Sequence, residues 1–222
     1  MEEIELHYSK KYSNFRSVVS YFSEKKFFGS QLNALIEDYP NLNKGNYSVI
    51  DIGCGYGVKS YLLAENFSNV VGVDFIENII KVNTLLNDRE NLNFYTENFT
   101  SLKIVENRFN IATLFGFSLL NTTNTDDYIN VLLKIKKEYL VPDGKIIIWS
   151  SSNYRGEFEN GWYNHSKREL SEIIFKIKSQ LGCKAELFEP FRKNLWKKFN
   201  LKNIYRAILL KQYYFIIIYH EI

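Results

Sequence analysis

The stretch Ser48-Val-Ile-Asp-Ile-Gly-Cys-Gly-Tyr-Gly57 decides the fold. Five residues of strand-forming character, 48–52, run into three glycines at alternate positions, and a helical pattern follows from Val58 to about Phe67. A strand that meets a glycine-rich turn and then a helix forms a cradle for a ligand, because glycine lets the backbone approach closely. We expect the free N–H groups at the helix start to face the same space.

Two details of this stretch indicate a cationic ligand. The spacing is Gly-x-Gly-x-Gly, so the third glycine comes one residue earlier than in the Gly-x-Gly-x-x-Gly turn of dinucleotide sites. Asp51 lies inside the strand, two residues before Gly53. A buried carboxylate behind the turn would repel a pyrophosphate, whereas it would suit a ligand that carries an ammonium and a sulfonium.

Strand-like and helical segments alternate along the rest of the chain, which predicts a mainly parallel sheet with helices on both faces. Further strands are expected at 69–74, 92–96, 111–115, 145–149, 183–188 and 212–222. Helices are expected at 77–86, 126–139 and 166–181, with Thr125 as the cap of the second and a Ser166–Glu169 capping box opening the third. The pattern also predicts a tight turn at 142–144 and a polar, aromatic loop at 151–164.

With these features the chain resembles the class I S-adenosylmethionine-dependent methyltransferases, whose first motif has the same acid-x-Gly-x-Gly-x-Gly form. The resemblance covers residues 48–188 and extends to the last strand. It implies an α/β, Rossmann-like, doubly wound fold: a mainly parallel seven-stranded sheet with an antiparallel edge hairpin and helices on both faces. It also implies an enzyme whose cofactor is S-adenosylmethionine.

The chain of 222 residues is expected to form one domain. Its parts are an N-terminal helical lid (1–45), a cofactor-binding core (46–190), a basic insertion (191–211) and a last strand (212–222). Within the lid, a second helical piece at 31–39 is expected to end at Pro40.

Composition predicts a cytoplasmic, bacterial protein. Two cysteines indicate a reducing compartment without a disulfide framework. The charged N-terminus does not resemble a signal peptide, and the longest apolar run, 213–219, is too short to span a membrane. A net charge of +3 is too small to indicate nucleic acid by itself. The abundance of Asn, Lys, Ile and Tyr is typical of an AT-rich genome.

Five residues are expected to hold the methionine and ribose parts of the cofactor. The resemblance implies that Asp51 faces the ammonium, and that Gly53 and Gly55 let the methionine lie along the backbone. Cys54 lies between these glycines as a small packing residue. Asp74 ends the second strand, where a carboxylate can accept hydrogen bonds from ribose hydroxyls; a role as helix N-cap is the alternative.

Three further residues are expected around the adenine: Phe75, Asn98 and Phe99. Phe115, at the end of the fourth strand, is also expected to contact the cofactor. Many members of the family have an aspartate that accepts a hydrogen bond from the adenine amine. Asn98 stands at that place, and its amide oxygen can accept the same bond. A plain turn role for Asn98, recognition by Glu97 instead, and core packing of Phe75 remain the alternatives.

The ends of the fourth and fifth strands favour methyl transfer to oxygen without a metal. Residues 115–118 read Phe-Gly-Phe-Ser and lack the Asn/Asp-Pro-Pro-aromatic run of enzymes that methylate amino groups of bases. Residues 150–153 offer no acid for a divalent cation, and no zinc-type Cys/His cluster occurs. We therefore expect direct in-line transfer, which is mainly a matter of positioning, to a small molecule or a surface-glycan sugar.

His165 is the candidate general base, because it follows the fifth strand and precedes a helix start. An imidazole near its own pKa can take up a hydroxyl proton. A surface histidine beside the capping box is the alternative, His7 in the lid is a second candidate, and His220 is expected to be structural. The acceptor is expected to contact Tyr8, Tyr12, Tyr154, Arg155, Trp162 and Tyr163.

The segment 192–211 is basic: it has seven Lys or Arg residues, no acid and interleaved aromatic residues. It fits a solvated basic face, recognition of an acidic acceptor, peripheral contact with a membrane surface or contact with RNA. Two alternatives to the small-molecule enzyme therefore stay open. One is an RNA methyltransferase that uses this segment, and the other is a non-catalytic partner subunit that keeps the cofactor pocket.

Overall fold

The computed structural model describes residues 16–42, 46–101, 108–152, 156–159, 162–190 and 212–220. The chain, for which the sequence predicts one domain, gathers into two compact units, residues 1–106 and 107–222. Within the described ranges, no helix combines the length and the apolar character needed to cross a membrane.

The first unit has three parallel strands in the order β3-β2-β1. Its elements are α1 (Arg16–Asp38), β1 (Ser48–Ile52), α2 (Val58–Leu63), β2 (Asn69–Asp74), α3 (Glu77–Leu86) and β3 (Leu92–Thr96). Residues 49–52 of β1 and 70–74 of β2 are all buried. Burial of every position is typical of parallel strands that are covered on both faces.

The second unit has four strands in the order β4-β5-β9-β8 and a separate two-stranded hairpin. Its elements are β4 (Phe109–Phe115), α4 (Thr125–Glu138), β5 (Leu140–Ser152), β6 (Glu157–Glu159), β7 (Trp162–Asn164), α5 (Lys167–Leu181), β8 (Lys184–Phe188) and β9 (Gln212–Tyr219). β4 and β5 are parallel, whereas β9 is antiparallel to both β5 and β8.

The predicted fold class is confirmed. Of the seven strands, β1, β2 and β3 are parallel in the first unit and β4 and β5 are parallel in the second, whose sheet ends in the antiparallel pair β9 and β8. This is the α/β, Rossmann-like arrangement that the sequence predicts.

Three predicted boundaries are wrong. A single helix, α1, covers the region where a separate helical piece at 31–39 was expected. The expected loop at 151–164 contains the end of β5 and the hairpin β6–β7. β5 begins at Leu140 rather than Lys145, because the register with β4 shifts between Phe109 and Ile111 and the expected turn at 142–144 becomes an irregularity inside the strand.

Two predicted helix ends also differ from the observed ones. The cap of α4 is Asn124, whose side chain accepts from the Asp126 amide at 3.0 Å, and not Thr125, which is the first helical residue. α2 ends at Leu63, before the predicted end at Phe67. The Asn91 amide stabilises the chain that follows, because its Nδ2 donates to the carbonyls of Ala64 and Phe67 at 2.9 and 2.8 Å. The capping box of Ser166 and Glu169 is confirmed.

Gly57, in the first unit, and Gly182, in the second, provide a matched test of close packing at position 57. Both have positive φ, 68° and 60°, but a Cβ on Gly57 would lie 2.7 Å from Phe94 Cζ, whereas a Cβ on Gly182 would meet nothing within 4 Å. We expect Gly182→Ala to lower the free energy of unfolding by about 1 kcal/mol. Gly57→Ala should lower it by roughly 1–3 kcal/mol more, because of the overlap with Phe94.

Urea unfolding of the two variants measures this difference. Equal losses in the two variants would show that contact with Phe94 does not require glycine at position 57.

Candidate functional site

The turn between β1 and α2 is closed against the end of β2. Gly53, Gly55 and Gly57 all have positive φ. The Gly53 and Cys54 amides donate to the Val73 carbonyl at 2.8 and 3.0 Å, and the Gly57 amide donates to the Cys54 carbonyl at 3.0 Å. These amides are therefore bonded inside the unit. The expectation that the free N–H groups at the start of α2 face a ligand stays a prediction.

Asp74 links the end of β2 to this turn. Its Oδ2 accepts from the Gly55 amide at 3.0 Å and its Oδ1 from the Ile76 amide at 3.1 Å. Burial raises the pKa of Asp74, while the amides of Ile76, Gly55 and Phe75 act in the opposite direction. A carboxylate has about four acceptor positions, which leaves capacity for a ligand hydroxyl. The N-cap alternative is wrong, because α3 has Ile76 at its N-cap.

Asp51 lies behind the turn rather than on its surface. It is 1% exposed, and its Oδ2 accepts from the Ser60 hydroxyl of α2 at 2.6 Å. Its register partner on β2 is Gly72, where a Cβ would come within 3.1 Å of Ser60 Oγ. The same Cβ would overlap the Phe94 ring at 2.6 Å, so glycine at position 72 leaves room for that ring and for the hydroxyl that bonds Asp51. A direct contact between Asp51 and a ligand ammonium stays a prediction.

The charges of this corner suit a cation. Two carboxylates, Asp51 and Asp74, are buried there, and the amides of Gly53, Cys54, Gly55 and Gly57 donate to protein acceptors. Carboxylates in a medium of low dielectric constant act strongly on a nearby charge. The residues present therefore fit an ammonium or a sulfonium better than a phosphate.

Cys54 behaves as the packing residue that the sequence predicts. It is 8% exposed. Burial raises the pKa of its thiol well above the usual value, and the carboxylates of Asp74 and Asp51 raise it further. A thiol that stays protonated is a poor nucleophile.

The adenine-side residues have local roles in the structure. Asn98 Oδ1 accepts from both the amide and the hydroxyl of Thr100, each at 2.9 Å, at the start of a short 3₁₀ turn (Phe99–Ser101). This is the turn role that was the alternative for Asn98. Phe99 is buried and Phe75 half-buried. Contact of these three residues with an adenine stays a prediction.

Two asparagines that the sequence reasoning missed hold the turn from α3. Asn83 Nδ2 donates to the Gly55 carbonyl at 2.6 Å, and Asn87 Nδ2 donates to the Tyr56 carbonyl at 3.3 Å. Residues four apart share one face of a helix, and both of these side chains are buried. Polar residues on the buried face of α3 were the available signal.

The second unit contains Phe115 and His165. Phe115 is 3% exposed and packs edge-on against Phe215, with ring centroids 6.2 Å apart. His165 forms a β-bridge with Ser152 and is 3% exposed. The alternative of a surface histidine is therefore wrong.

The two nitrogens of His165 have different surroundings. Nε2 lies 3.2 Å from the Thr122 carbonyl, so this nitrogen carries the proton of the neutral ring. Nδ1 is buried and has no hydrogen-bond partner in the described part of the chain. Burial lowers the pKa of His165, and the Thr122 contact and Glu169 offset this only in part. The ring is neutral near pH 7, with its lone pair on Nδ1.

Tyr163 lies beside His165, with ring centroids 5.0 Å apart. Its hydroxyl donates to Glu169, and this bond together with burial raises its pKa to about 12. Trp162 is half-buried. The remaining predicted acceptor-side residues lie outside the described residues: His7, Tyr8, Tyr12, Tyr154, Arg155 and the basic segment 192–211.

The buried ring of His165 predicts a pH dependence of stability. Its pKa is lowered in the folded chain, so between the folded pKa and the ordinary value of about 6.5 the unfolded chain binds more protons. The stability contributed by the neutral ring is therefore present above pH 6.5 and is lost as the pH falls from that value through the folded pKa. The loss amounts to about 1.4 kcal/mol per pKa unit of separation.

We expect His165→Gln to remove this part of the pH dependence, since glutamine keeps an N–H for Thr122 but does not titrate. Urea unfolding of both proteins from pH 7.5 to pH 5 measures it. Parallel stability curves would contradict the assignment of a neutral buried ring.

Comparison with protein families gives one match that covers most of the chain. The profile of a family described as "Methyltransferase domain" matches residues 43–206, more than half of the 222 residues. A search of curated protein sequences finds no match.

Solved structures with the same fold include three of different chemistry. The plantazolicin methyltransferase BpumL in complex with SAH has a TM-score of 0.60 and 15% identity, over 97% of this chain and 90% of that one. Phosphoethanolamine N-methyltransferase 1 of Haemonchus contortus has a TM-score of 0.58 and 18% identity, over 87% of this chain and 43% of that one. The [4+2]-cyclase SpnF has a TM-score of 0.57 and 14% identity, over 87% of this chain and 82% of that one.

At these identities the structural likeness shows the fold alone, and the family match shows that the chain is a methyltransferase domain. The resemblance carried by the acid and the three glycines is confirmed. The chain belongs to the methyltransferase-domain family and is a class I, Rossmann-like S-adenosylmethionine-dependent methyltransferase.

Proposed function

We propose that this enzyme methylates a hydroxyl oxygen of a small molecule or of a surface-glycan sugar, by direct in-line transfer without a metal. S-adenosylmethionine supplies an electrophilic methyl group on a positively charged sulfur. The observation that carries the choice of oxygen is the buried Nδ1 of His165, a basic nitrogen without a partner among the described residues.

Asp51 and Asp74 are the residues that would hold the cofactor. Two buried acids beside a turn whose amides are bonded internally favour the cationic amino-acid part of S-adenosylmethionine. The acceptor capacity of Asp74 favours the ribose hydroxyls. BpumL, which shares the fold, was crystallised with SAH.

His165 is suited to take the proton of a hydroxyl acceptor. The Thr122 carbonyl fixes the proton of the neutral ring on Nε2, so Nδ1 is the atom that receives a proton. Burial keeps the ring in its basic form near pH 7. The imidazolium that results is stabilised by the negative charge of Glu169, which acts on His165 in this direction.

A small molecule is favoured over a macromolecule as acceptor. Phosphoethanolamine, for which the Haemonchus contortus neighbour is named, is a small molecule. The sequence also lacks the Asn/Asp-Pro-Pro-aromatic run of enzymes that methylate bases, since residues 115–118 read Phe-Gly-Phe-Ser.

Removal of the Asp74 charge should weaken cofactor binding. In Asp74→Asn the amide cannot accept from two backbone N–H groups and the ribose hydroxyls at once, so we expect SAH to bind at least about 10-fold more weakly. The matched control is Asp88→Asn, an exposed acid of the same unit, which should bind SAH as the wild type does. Isothermal titration calorimetry measures both; no heat with the wild type, or equal affinities of the two variants, would contradict the cofactor assignment.

Loss of the basic nitrogen should slow methyl transfer. Transfer from radiolabelled S-adenosylmethionine into fractionated cell extract identifies the acceptor fraction. With that acceptor we expect His165→Gln to lower kcat by about 100-fold or more while the KM for S-adenosylmethionine stays within about 3-fold. Lys167→Gln, two residues further on at the exposed start of α5, should leave both values unchanged.

The same experiment separates the alternatives. Label in the RNA fraction, with an affinity that falls steeply with salt, would assign the reaction to RNA and the basic segment 192–211. Cofactor binding without any labelled product would favour a non-catalytic partner subunit. An unchanged kcat in His165→Gln would remove His165 as the base.

A further inference from the structure

Asn83 lies beneath the glycine turn and faces it from α3. The residue is 0% exposed. Its Nδ2 is 2.6 Å from the Gly55 carbonyl oxygen and 3.9 Å from the sulfur of Cys54. Its Cγ is 3.1 Å from the place that a Cβ on Gly57 would take. The amide therefore fills the space that the third glycine leaves.

Only the donor half of this amide is used. Asn83 Oδ1 is buried and has no hydrogen-bond partner within the described ranges. A carbonyl oxygen can only accept, so the short contact with Gly55 requires the NH₂ group on that side and fixes the orientation of the side chain. A buried acceptor without a partner is unfavourable, and leucine has the same number and branching of side-chain heavy atoms without it. The bond to Gly55 is thus the feature that asparagine provides at this position.

Gly55 is held from both sides. Its N–H donates to Asp74 Oδ2 at 3.0 Å, and its carbonyl accepts from Asn83. The next carbonyl, of Tyr56, accepts from Asn87 at 3.3 Å. Gly55 itself has a φ of 51°, a conformation that glycine adopts without a steric cost. Because glycine is also free to leave that conformation, the contacts on either side must hold it.

We infer that Asn83 is a positioning residue for the nucleoside part of the cofactor, which it affects through Gly55 and Asp74. With the Gly55 carbonyl held toward α3, the Gly55 N–H points at Asp74 and orients the carboxylate that receives the ribose hydroxyls. This inference rests on the cofactor assignment of the proposed function. Asn83 itself does not touch the cofactor in this scheme.

Asn83→Leu separates positioning from stability. The variant loses the bond to Gly55 and crowds its carbonyl, but it also loses the unpaired Oδ1, so we expect its midpoint of urea unfolding to fall less than that of the Asn91→Leu control. SAH should bind at least 10-fold more weakly, by isothermal titration calorimetry. 5′-Methylthioadenosine, which lacks the amino-acid part, should lose affinity by the same factor, because the effect passes through the ribose contact.

Asn91→Leu is the matched control. Asn91 lies in the same unit and donates two bonds to the backbone after α2, at 2.9 and 2.8 Å. Its loss should lower the unfolding midpoint and leave SAH affinity within 2-fold of the wild type. A residue with a structural role alone behaves in this way, which is the opposite of the result expected for Asn83→Leu.

Asn83→Asp adds a pH signature. An ionised carboxylate cannot donate to the Gly55 carbonyl, whereas a protonated one can. We therefore expect the ratio of its SAH affinity to that of the wild type to rise as the pH falls. The Cys54 thiol lies 3.9 Å from Asn83 Nδ2, and the charges that act on that thiol are Asp74 on β2, Asp51 on β1 and Lys59 on α2. These groups are common to both proteins.

Three results decide the inference. It is overturned if Asn83→Leu binds SAH as the wild type does, or if Asn83→Leu and Asn91→Leu lose affinity equally. It is also overturned if Asn83→Leu weakens SAH and leaves 5′-methylthioadenosine unchanged, because the residue would then act on the amino-acid side. A wild type that binds no SAH would instead overturn the cofactor assignment itself.

Discussion

The hydrogen bond between the Gly55 amide and the Asp74 carboxylate joins the glycine turn to the end of β2. A carboxylate that is 9% exposed needs donors to remain charged, and Gly55 and Ile76 supply them. The Gly55 amide of the turn, for its part, needs an acceptor, and Asp74 provides it at the end of β2. Each part thus stabilises the other, and glycine is required at position 57 because the chain passes close to Phe94 and Asn83 on its way into α2.

Local patterns in the sequence predicted the parts of the molecule that depend on neighbours along the chain. The glycine turn, the acid at the end of β2, the helix 77–86 and the Ser166–Glu169 capping box all fall in this class. Contacts between distant segments were missed. The bond from Asn83 to Gly55 joins residues 28 positions apart. The polar residue on the apolar face of the helix was a signal, but the sequence does not show which distant group its side chain bonds.

The fold carries less information about chemistry than the site does. SpnF shares the architecture and is a [4+2]-cyclase, whereas BpumL shares it and is a methyltransferase. For this chain the family match and the two buried acids agree on methyl transfer. The acceptor side is decided by side chains such as His165, whose burial depends on its bridge to Ser152 and on the rings of Tyr128 and Tyr163. No short motif records that environment.

The position of β9 has a consequence for synthesis of the chain. β9 is made after β8 but lies between β5 and β8 in the sheet. While the ribosome is still translating residues 189–211, β8 therefore has no strand to pair with. The backbone groups of β5 that bond β9 are equally exposed during that interval, and unpaired strand edges favour aggregation. The second unit completes its sheet only when residues 212–219 have left the ribosomal tunnel.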